Sequence, residues 1–364
     1  MRRVYFGARA AGVRKSAEPD STRFDPESGV LCRTRCSMDA LSEALRVVRI
    51  TSALFFNGEF AAPWRFATPA QDKVAPVVSP ESERLVLFHL VTDGSATART
   101  AEHDEVMLTA GDIVAFPHGH AHELWNGQTS ELFPGNRLLP KLASGELATE
   151  KWGGDGPVTR IVCGYFGCER HAENLFLNGL PAVLKLNVRG NPAGAWIESA
   201  IRHAVSEIEA QRPGRMAVLS KLAEALFMET LCRYMDELPP EHTGWLAAAR
   251  DPKVGRALAL LHRDPARAWT LPDLAEASGM SRTVLAERFA ELLGESPLAY
   301  LARWRLQLGA RRLLTTDNKV LQVAYDVGYE SEAAFSRAFR RAFGVPPARY
   351  RREHNAARST QSGR

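Results

Sequence analysis

The chain is 364 residues long, 45% hydrophobic and 24% charged, with a net charge of +4; that length divides into two or more domains, each able to bury its own core. No apolar run approaches the roughly 20 residues that cross a bilayer, and the Arg-rich N-terminus lacks the apolar stretch of a secretion signal, so a cytoplasmic protein with no membrane partner is expected. Residues 250–364 hold 20 Lys/Arg against 12 Asp/Glu, whereas the preceding 249 hold 26 against 30; the basic end suits a phosphate backbone.

Residues 1–37 are polar, Arg-rich and aperiodic. They read as a disordered extension, or as a segment upstream of a true start at Met38. From Met38 the spacing of Leu41, Leu45 and Val48 predicts a helix. Residues 38–190 then read mainly as β-structure and form the first domain. Short strands are predicted at 85–91, 96–100, 105–109, 113–116 and 158–166, separated by Gly/Asp turns. Segment 127–156 reads as a long irregular insertion. Even spacing of short strands predicts a small antiparallel barrel or jelly roll.

Residues 191–236 are predicted as two amphipathic helices broken at Arg212-Pro213-Gly214. In the second, Leu219, Leu222, Leu226 and Cys232 are expected on one side. The pair covers a neighbouring domain or forms a dimer with its twin. Residues 237–251, with Pro239, Pro240 and Gly244, are the predicted linker. Asp251 and Pro252 are expected to start the next helix as N-cap and first position.

Residues 252–352 carry the strongest pattern, a repeat with a period of 50 residues. Residues 271–301 align with 321–351 without a gap: Leu271 meets Leu321, Ser281 meets Ser331, Phe289 meets Phe339 and Gly294 meets Gly344. Each copy predicts a short helix, a tight turn, a Ser-capped second helix and a Gly stop. That is the helix-turn-helix plan, whose second helix enters a DNA major groove. Val284, Leu285 and Phe289 are expected on the core side. Arg282, Thr283, Ala286 and Glu287 are left outward in the first copy, and Glu332, Ala333, Ser336 and Arg337 in the second. Arg337 suits guanine O6/N7 and Glu287 suits cytosine N4. The helix between the copies, starting at Ser296-Pro297, is expected to set the readers about one DNA turn, ~34 Å, apart. Arg340, Arg341, Arg349, Arg351 and Arg352 are expected to meet phosphates. Residues 353–364 read as a disordered tail.

Residues 328–351 (GYESEAAFSRAFRRAFGVPPARYR), with the related repeat before them, closely resemble the DNA-binding domain of AraC-type transcriptional regulators. The likeness implies that Thr283, Ala286 and Glu287 read bases in the first copy, and Ser336 and Arg337 in the second. Many relatives carry Arg where this chain has Glu287.

Residues 111–126 (GDIVAFPHGHAHELWN) fit G-x5-P-x-G-x2-H-x3-N, the second motif of cupin barrels. The region from about 38 to 187 resembles the cupin-type sensor found ahead of many such DNA-binding domains. Metal-binding cupins supply His-x-His and a Glu from the first motif; here His89 is followed by Val91 and no Glu stands at the expected distance. Zinc can still be held by His89, His122 and thiolates of Cys163 or Cys168. His89, His122 and Trp125 are candidate effector contacts. Cys163 and Cys168 also have a spacing that permits a redox pair. Five cysteines, an odd count, argue against a disulfide framework.

The expected fold is therefore a cupin-like β-barrel with flanking helices, followed by an all-α tandem helix-turn-helix domain. The expected function is a ligand-responsive, non-enzymatic, AraC-type regulator or activator that needs no cofactor. Its expected partners are double-stranded promoter DNA, a small-molecule effector, a second copy of the chain and, for an activator, RNA polymerase. The alternatives are a metal- or thiol-responsive regulator, or a metal-dependent cupin enzyme fused to a DNA-binding domain.

Overall fold

The structure, a computed structural model, describes residues 39–361 apart from 46–49, 81, 83, 103–104, 130, 145–148, 169–176, 190–191 and 211–212. The expected extension 1–37, with Cys32 and Cys36, lies outside the described residues.

The N-terminal half opens with α1 (Ala40–Leu45), then β1 (Ile50–Ala61), β2 (Trp64–Thr68), α2 (Gln71–Val78), β3 (Arg84–Asp93), β4 (Ser95–Thr100), β5 (Val106–Thr109), β6 (Asp112–Phe116) and β7 (His122–Asn126). It continues through β8 (Phe133–Pro134), a 3-10 turn Gly135–Leu138, α3 (Leu139–Ala143), β9 (Glu150–Gly153), β10 (Val158–Cys168) and β11 (Leu184–Asn187). The strands form a six-stranded sheet ordered β11-β6-β3-β10-β1-β9 and a five-stranded sheet ordered β5-β4-β7-β2-β8. Pairing is antiparallel except for β1 with β9 and β2 with β8.

Burial follows strand position. β3 sits between β6 and β10, and residues 85–91 are buried without a break, as expected for a strand covered on both faces. β7 alternates, with His122 and Leu124 buried and Glu123 and Trp125 less so. The inner faces of the two sheets meet through aromatic side chains: Phe66 of β2 lies 6.2 Å from Phe56 and 5.8 Å from Phe60 of β1, centroid to centroid. Segment 127–156, expected to be irregular, instead contributes two short strands and α3. It lies against α2, which the Gln71 side chain ties to β3 by accepting from Leu85 N–H at 2.9 Å.

Two long helices follow, α4 (Pro192–Ala210) and α5 (Arg215–Glu237). They pack against each other and against β1. Leu219 and Leu226 are buried, but Cys232 is exposed rather than on their side. Six residues beyond Leu226 is 600° of helical rotation at about 100° per residue, which carries it well off the buried stripe.

The second half comprises α6 (Trp245–Arg250), α7 (Val254–Arg263), α8 (Leu271–Ser278), α9 (Arg282–Leu293), α10 (Pro297–Thr315), α11 (Val320–Asp326), α12 (Glu332–Phe343) and α13 (Pro347–Gln361). The expected linker thus contains a helix, α6, whose Trp245, Leu246, Ala247 and Ala248 are buried. The N-cap of α7 is Lys253 rather than the expected Asp251, and the helix starts at Val254 rather than Pro252; the Asp251 Oδ1 accepts from the N–H groups of Lys253 and Val254, each at 3.0 Å, just ahead of it. The expected tail beyond 353 continues α13 to Gln361.

One apolar core runs from the sensor sheets through α6, α7 and α8 to Trp304 in α10. A second core, from Leu306 to Tyr350, joins the second repeat to the C-terminal part of α10. The N-terminal α1 packs against α7 and α6, joining the start of the N-terminal half to the first two helices of the second half.

Candidate functional site

Both copies of the repeat fold alike. Thr270 caps α8 by accepting from Asp273 N–H at 3.2 Å, and the Asp273 carboxylate receives Thr270 N–H at 3.3 Å, a reciprocal capping box. Gly279 closes α8 at φ +73°, a left-handed turn that disfavours a side chain. Ser281 Oγ then accepts from Val284 N–H, and Ser331 Oγ from Ala334 N–H, both at 3.2 Å. Leu285 and Phe289 of α9, and Phe335 and Phe339 of α12, are completely buried. Gly294 and Gly344 end the two helices in left-handed conformation.

The outward residues fall largely where the pattern put them. Arg282, Thr283 and Glu287 are exposed and Ala286 is half-buried; Glu332, Ala333 and Arg337 are exposed and Ser336 is half-buried. Val284, expected inward, is 50% exposed. The buried stripe of α9 is Leu285, Phe289 and Leu292, and one residue before Leu285 is a rotation of about 100° away from it.

The second helices of the two copies, α9 and α12, differ in charge. α9 carries Glu287 and Glu291 where α12 carries Arg337 and Arg341. Arg288 of α9 is engaged within the fold, with Asp251 at 3.2 Å and Glu291 at 2.7 Å. Burial raises the Asp251 pKa, but the N–H groups of Val254 and Lys253 together with Arg288 outweigh it and hold the carboxyl below its usual range. Among the described residues, no ion pair involves Arg337, Arg340 or Arg341. Two of the remaining arginines are engaged within the fold. Arg349 pairs with Glu353 at 2.6 Å, and Arg351 donates to the carbonyls of Leu313 at 2.8 Å and Asn318 at 2.6 Å, closing the end of α10. Arg352 remains exposed.

In the N-terminal half the cupin motif is formed as spaced. Gly111 and Gly119 adopt positive φ on either side of β6, and Asn126 donates to the Ser95 carbonyl at 2.9 Å. The sheets bring His89, His122 and Cys163 together. His89 Nε2 lies 2.6 Å from His122 Nε2, and His89 Nδ1 lies 2.7 Å from Cys163 Sγ. His122 Nδ1 lies 2.8 Å from the His120 carbonyl, so it carries a proton and donates. That leaves His122 Nε2 as acceptor for the His89 Nε2–H, and His89 Nδ1 as acceptor for the thiol. One neutral arrangement therefore satisfies the whole chain of groups. Burial, and then the neighbouring His122, holds His89 well below the usual imidazole range; burial brings His122 down to about 4 and pushes the Cys163 thiol well up. Phe116 stacks on His122 with centroids 3.6 Å apart.

The geometry separates the other candidate contacts. His89 meets its two partners on opposite edges of one ring, so the three donors do not converge on a point. Among the described residues, no group of three or more His, Cys, Asp or Glu is placed to hold a metal ion. Cys163 and Cys168 lie five residues apart on β10, roughly 17 Å at strand rise, far beyond the ~7 Å Cα limit for a disulfide. Trp125 has the opposite parity to His122 on β7, and its ring lies under the Arg99 guanidinium at 5.1 Å. His118 is half-buried and donates from Nε2 to the Leu180 carbonyl at 2.9 Å. Beside His89 and Cys163 is a cavity of about 60 Å³, walled by Phe56, Phe66, Leu87 and Tyr165 and covered by Val74 of α2 and Leu142 of α3. The sequence showed no sign of this cover, because its helices are short and come from a stretch without clear periodicity.

Comparison with known proteins agrees with both halves. Residues 39–236 match the Cupin family and residues 274–353 match the Helix-turn-helix domain family. A putative AraC-like transcription regulator of Streptomyces antibioticus is 30% identical over 86% of this chain and 99% of its own length. The HTH-type transcriptional regulator AlkR of Acinetobacter baylyi is 29% identical over 87% of this chain and 100% of its own. Among solved structures, the DNA-binding domain of AdpA in complex with a target DNA is 33% identical over 30% of this chain and 97% of that one, with a TM-score of 0.29. The chain belongs to the AraC-type transcriptional regulators, with an N-terminal cupin domain and a C-terminal helix-turn-helix domain. Among the described residues, no helix is long and apolar enough to cross a membrane.

Proposed function

We propose that this DNA-binding regulator reads promoter DNA with α9 and α12 and that its cupin domain adjusts this reading in response to a small molecule. The observation that carries the reading is the repeated, Ser-capped, Gly-stopped helix with an outward N-terminal face. In the first reader Arg282, Thr283, Ala286 and Glu287 meet DNA; in the second, Glu332, Ala333, Ser336 and Arg337 do, with Arg340 and Arg341 on phosphates. Residues 38–190 form the effector domain and 252–352 the DNA-binding domain. The helices of 191–236 join two copies or couple the domains, and an activator of this design engages RNA polymerase. Regulation requires the effector to bind the DNA-competent and incompetent states unequally. The continuous core from the sheets to the first reader supports such coupling. The test is selection of duplexes from a random pool with and without candidate effectors. Enrichment of one sequence family, altered by a ligand, supports the reading; a ligand-blind protein removes the sensor part.

The 2.7 Å contact of Cys163 with His89 favours a second reading, in which the buried thiol responds to metal or oxidant. Cys163→Ser then abolishes the transcriptional response, whereas an organic effector leaves it intact. Replacing Cys168 as well adds nothing, given its distance along β10.

A further inference from the structure

Resting on the reading of the cupin domain as an effector domain, we infer that its ligand is a small, uncharged molecule: an apolar body with one hydrogen-bond-accepting group, held by the Thr68 hydroxyl. Thr68 ends β2, beside His122 in the strand register, and lines the cavity with His89 and Cys163. Its Oγ1 is buried and has no hydrogen-bond partner among the described residues. A buried hydroxyl without a partner is costly, so the site is completed by an acceptor that enters the cavity. Among the described residues, the other polar side chains of the wall are already committed, and the Tyr165 hydroxyl donates to the Val78 carbonyl at 2.8 Å. The thiol donates to His89, His89 to His122, and His122 to the His120 carbonyl. Thr68 is thus the free donor of the lining.

The charge of the ligand follows from the wall. Among the described residues, no Lys, Arg, Asp or Glu lines the cavity, and burial keeps the imidazole beside it neutral. A carboxylate or ammonium placed here meets no counter-charge and loses its water. Size follows from volume. About 60 Å³ is room for a few heavy atoms, less than half of an apolar cavity of about 150 Å³ that holds benzene. A larger molecule of the same chemistry requires the cover of α2 and α3 to move outward.

The test uses the full chain and three probes of similar size: n-butanol, n-pentane and butyrate, titrated by saturation-transfer NMR at neutral pH. The expected result is saturable binding of n-butanol, with butyrate at least about tenfold weaker because its charge must be desolvated. Thr68→Val is isosteric and weakens n-butanol about fivefold, the range of one net hydrogen bond, while n-pentane is unchanged. Thr68→Ser retains the n-butanol affinity, and Leu142→Trp, which fills the cavity from its cover, removes it; melting curves confirm that each variant folds. Butyrate binding as tightly as n-butanol overturns the inference, as does n-butanol affinity indifferent to Thr68→Val, or no saturable binding of any probe. Should Thr68→Val not fold, the butyrate comparison and Leu142→Trp still decide. If n-butanol binds through Thr68 yet DNA affinity does not respond, the ligand chemistry stands and the effector reading fails.

Discussion

The Tyr300 hydroxyl of α10 lies 2.6 Å from His262 Nε2 of α7. Trp245 Nε1–H donates to the same oxygen at 2.8 Å. An indole N–H only donates, so the Tyr300 proton points to His262, which accepts on Nε2 and carries its own proton on Nδ1. His262 is stacked on Trp304 with centroids 4.3 Å apart. The cluster ties α6, α7 and α10 together.

Burial pushes the His262 pKa down to about 3 from an ordinary 6.5. Above pH 6.5 neither folded nor unfolded chain is protonated here, and the cluster contributes fully. As pH falls from 6.5 toward 3 the unfolded state takes up the proton and the folded state does not, so stability is lost over that window. His262→Phe is expected to flatten this part of the acid dependence. Denaturant melts of both proteins from pH 7 to pH 4 check it; an unchanged slope contradicts it.

The separate core of the second repeat makes its stability local. Phe339→Ala empties a fully buried aromatic site and is expected to cost about 3–5 kcal/mol. Hydrogen exchange should then show faster opening in α11, α12 and α13, with α8 and α9 still protected. Uniform loss across both repeats contradicts two independent cores.

The charge contrast between the readers predicts opposite effects from two alanine substitutions. Arg337→Ala is expected to cost about 1–3 kcal/mol of discrimination at one base pair. Glu287→Ala removes a carboxylate from the DNA-facing side, and is expected to raise general affinity while relaxing preference for cytosine. Binding titrations on a selected site and on its single-base variants measure both. A Glu287→Ala protein with weaker general affinity contradicts the assignment.

Cys163→Ala removes the only proton donor to His89 Nδ1 within the His–His–Cys chain. Leaving that buried nitrogen unpaired is expected to cost about 1–3 kcal/mol. Urea denaturation measures it, and Cys163→Ser, which restores a donor, should recover most of the loss.

The repeat was legible in the sequence because its constraints are local. A capped start, a left-handed Gly stop and Phe at a fixed helical phase leave few alternatives, and Phe289 and Phe339 sit as their spacing implies. The cupin motif was legible for the same reason at Gly111, Gly119 and His122. What escaped depends on long-range packing. Val284 is apolar, yet its phase one residue before Leu285 turns it outward. Trp125 stands three residues from His122, and odd separation on a strand sends it to the other face. The helix α6 is short and lies between Pro/Gly-rich segments, so only its buried Trp245 fixes it. The closeness of His89, His122 and Cys163 spans 74 residues of sequence and arises from sheet pairing alone.

The most direct test of the account is selection of bound duplexes from a random pool by the full chain and by its Arg337→Ala variant. The account predicts a site with two conserved blocks about one helical turn, ~10 base pairs, apart, and loss of preference at one position of one block in the variant. A single block, or the same site selected by both proteins, would contradict reading by both helices.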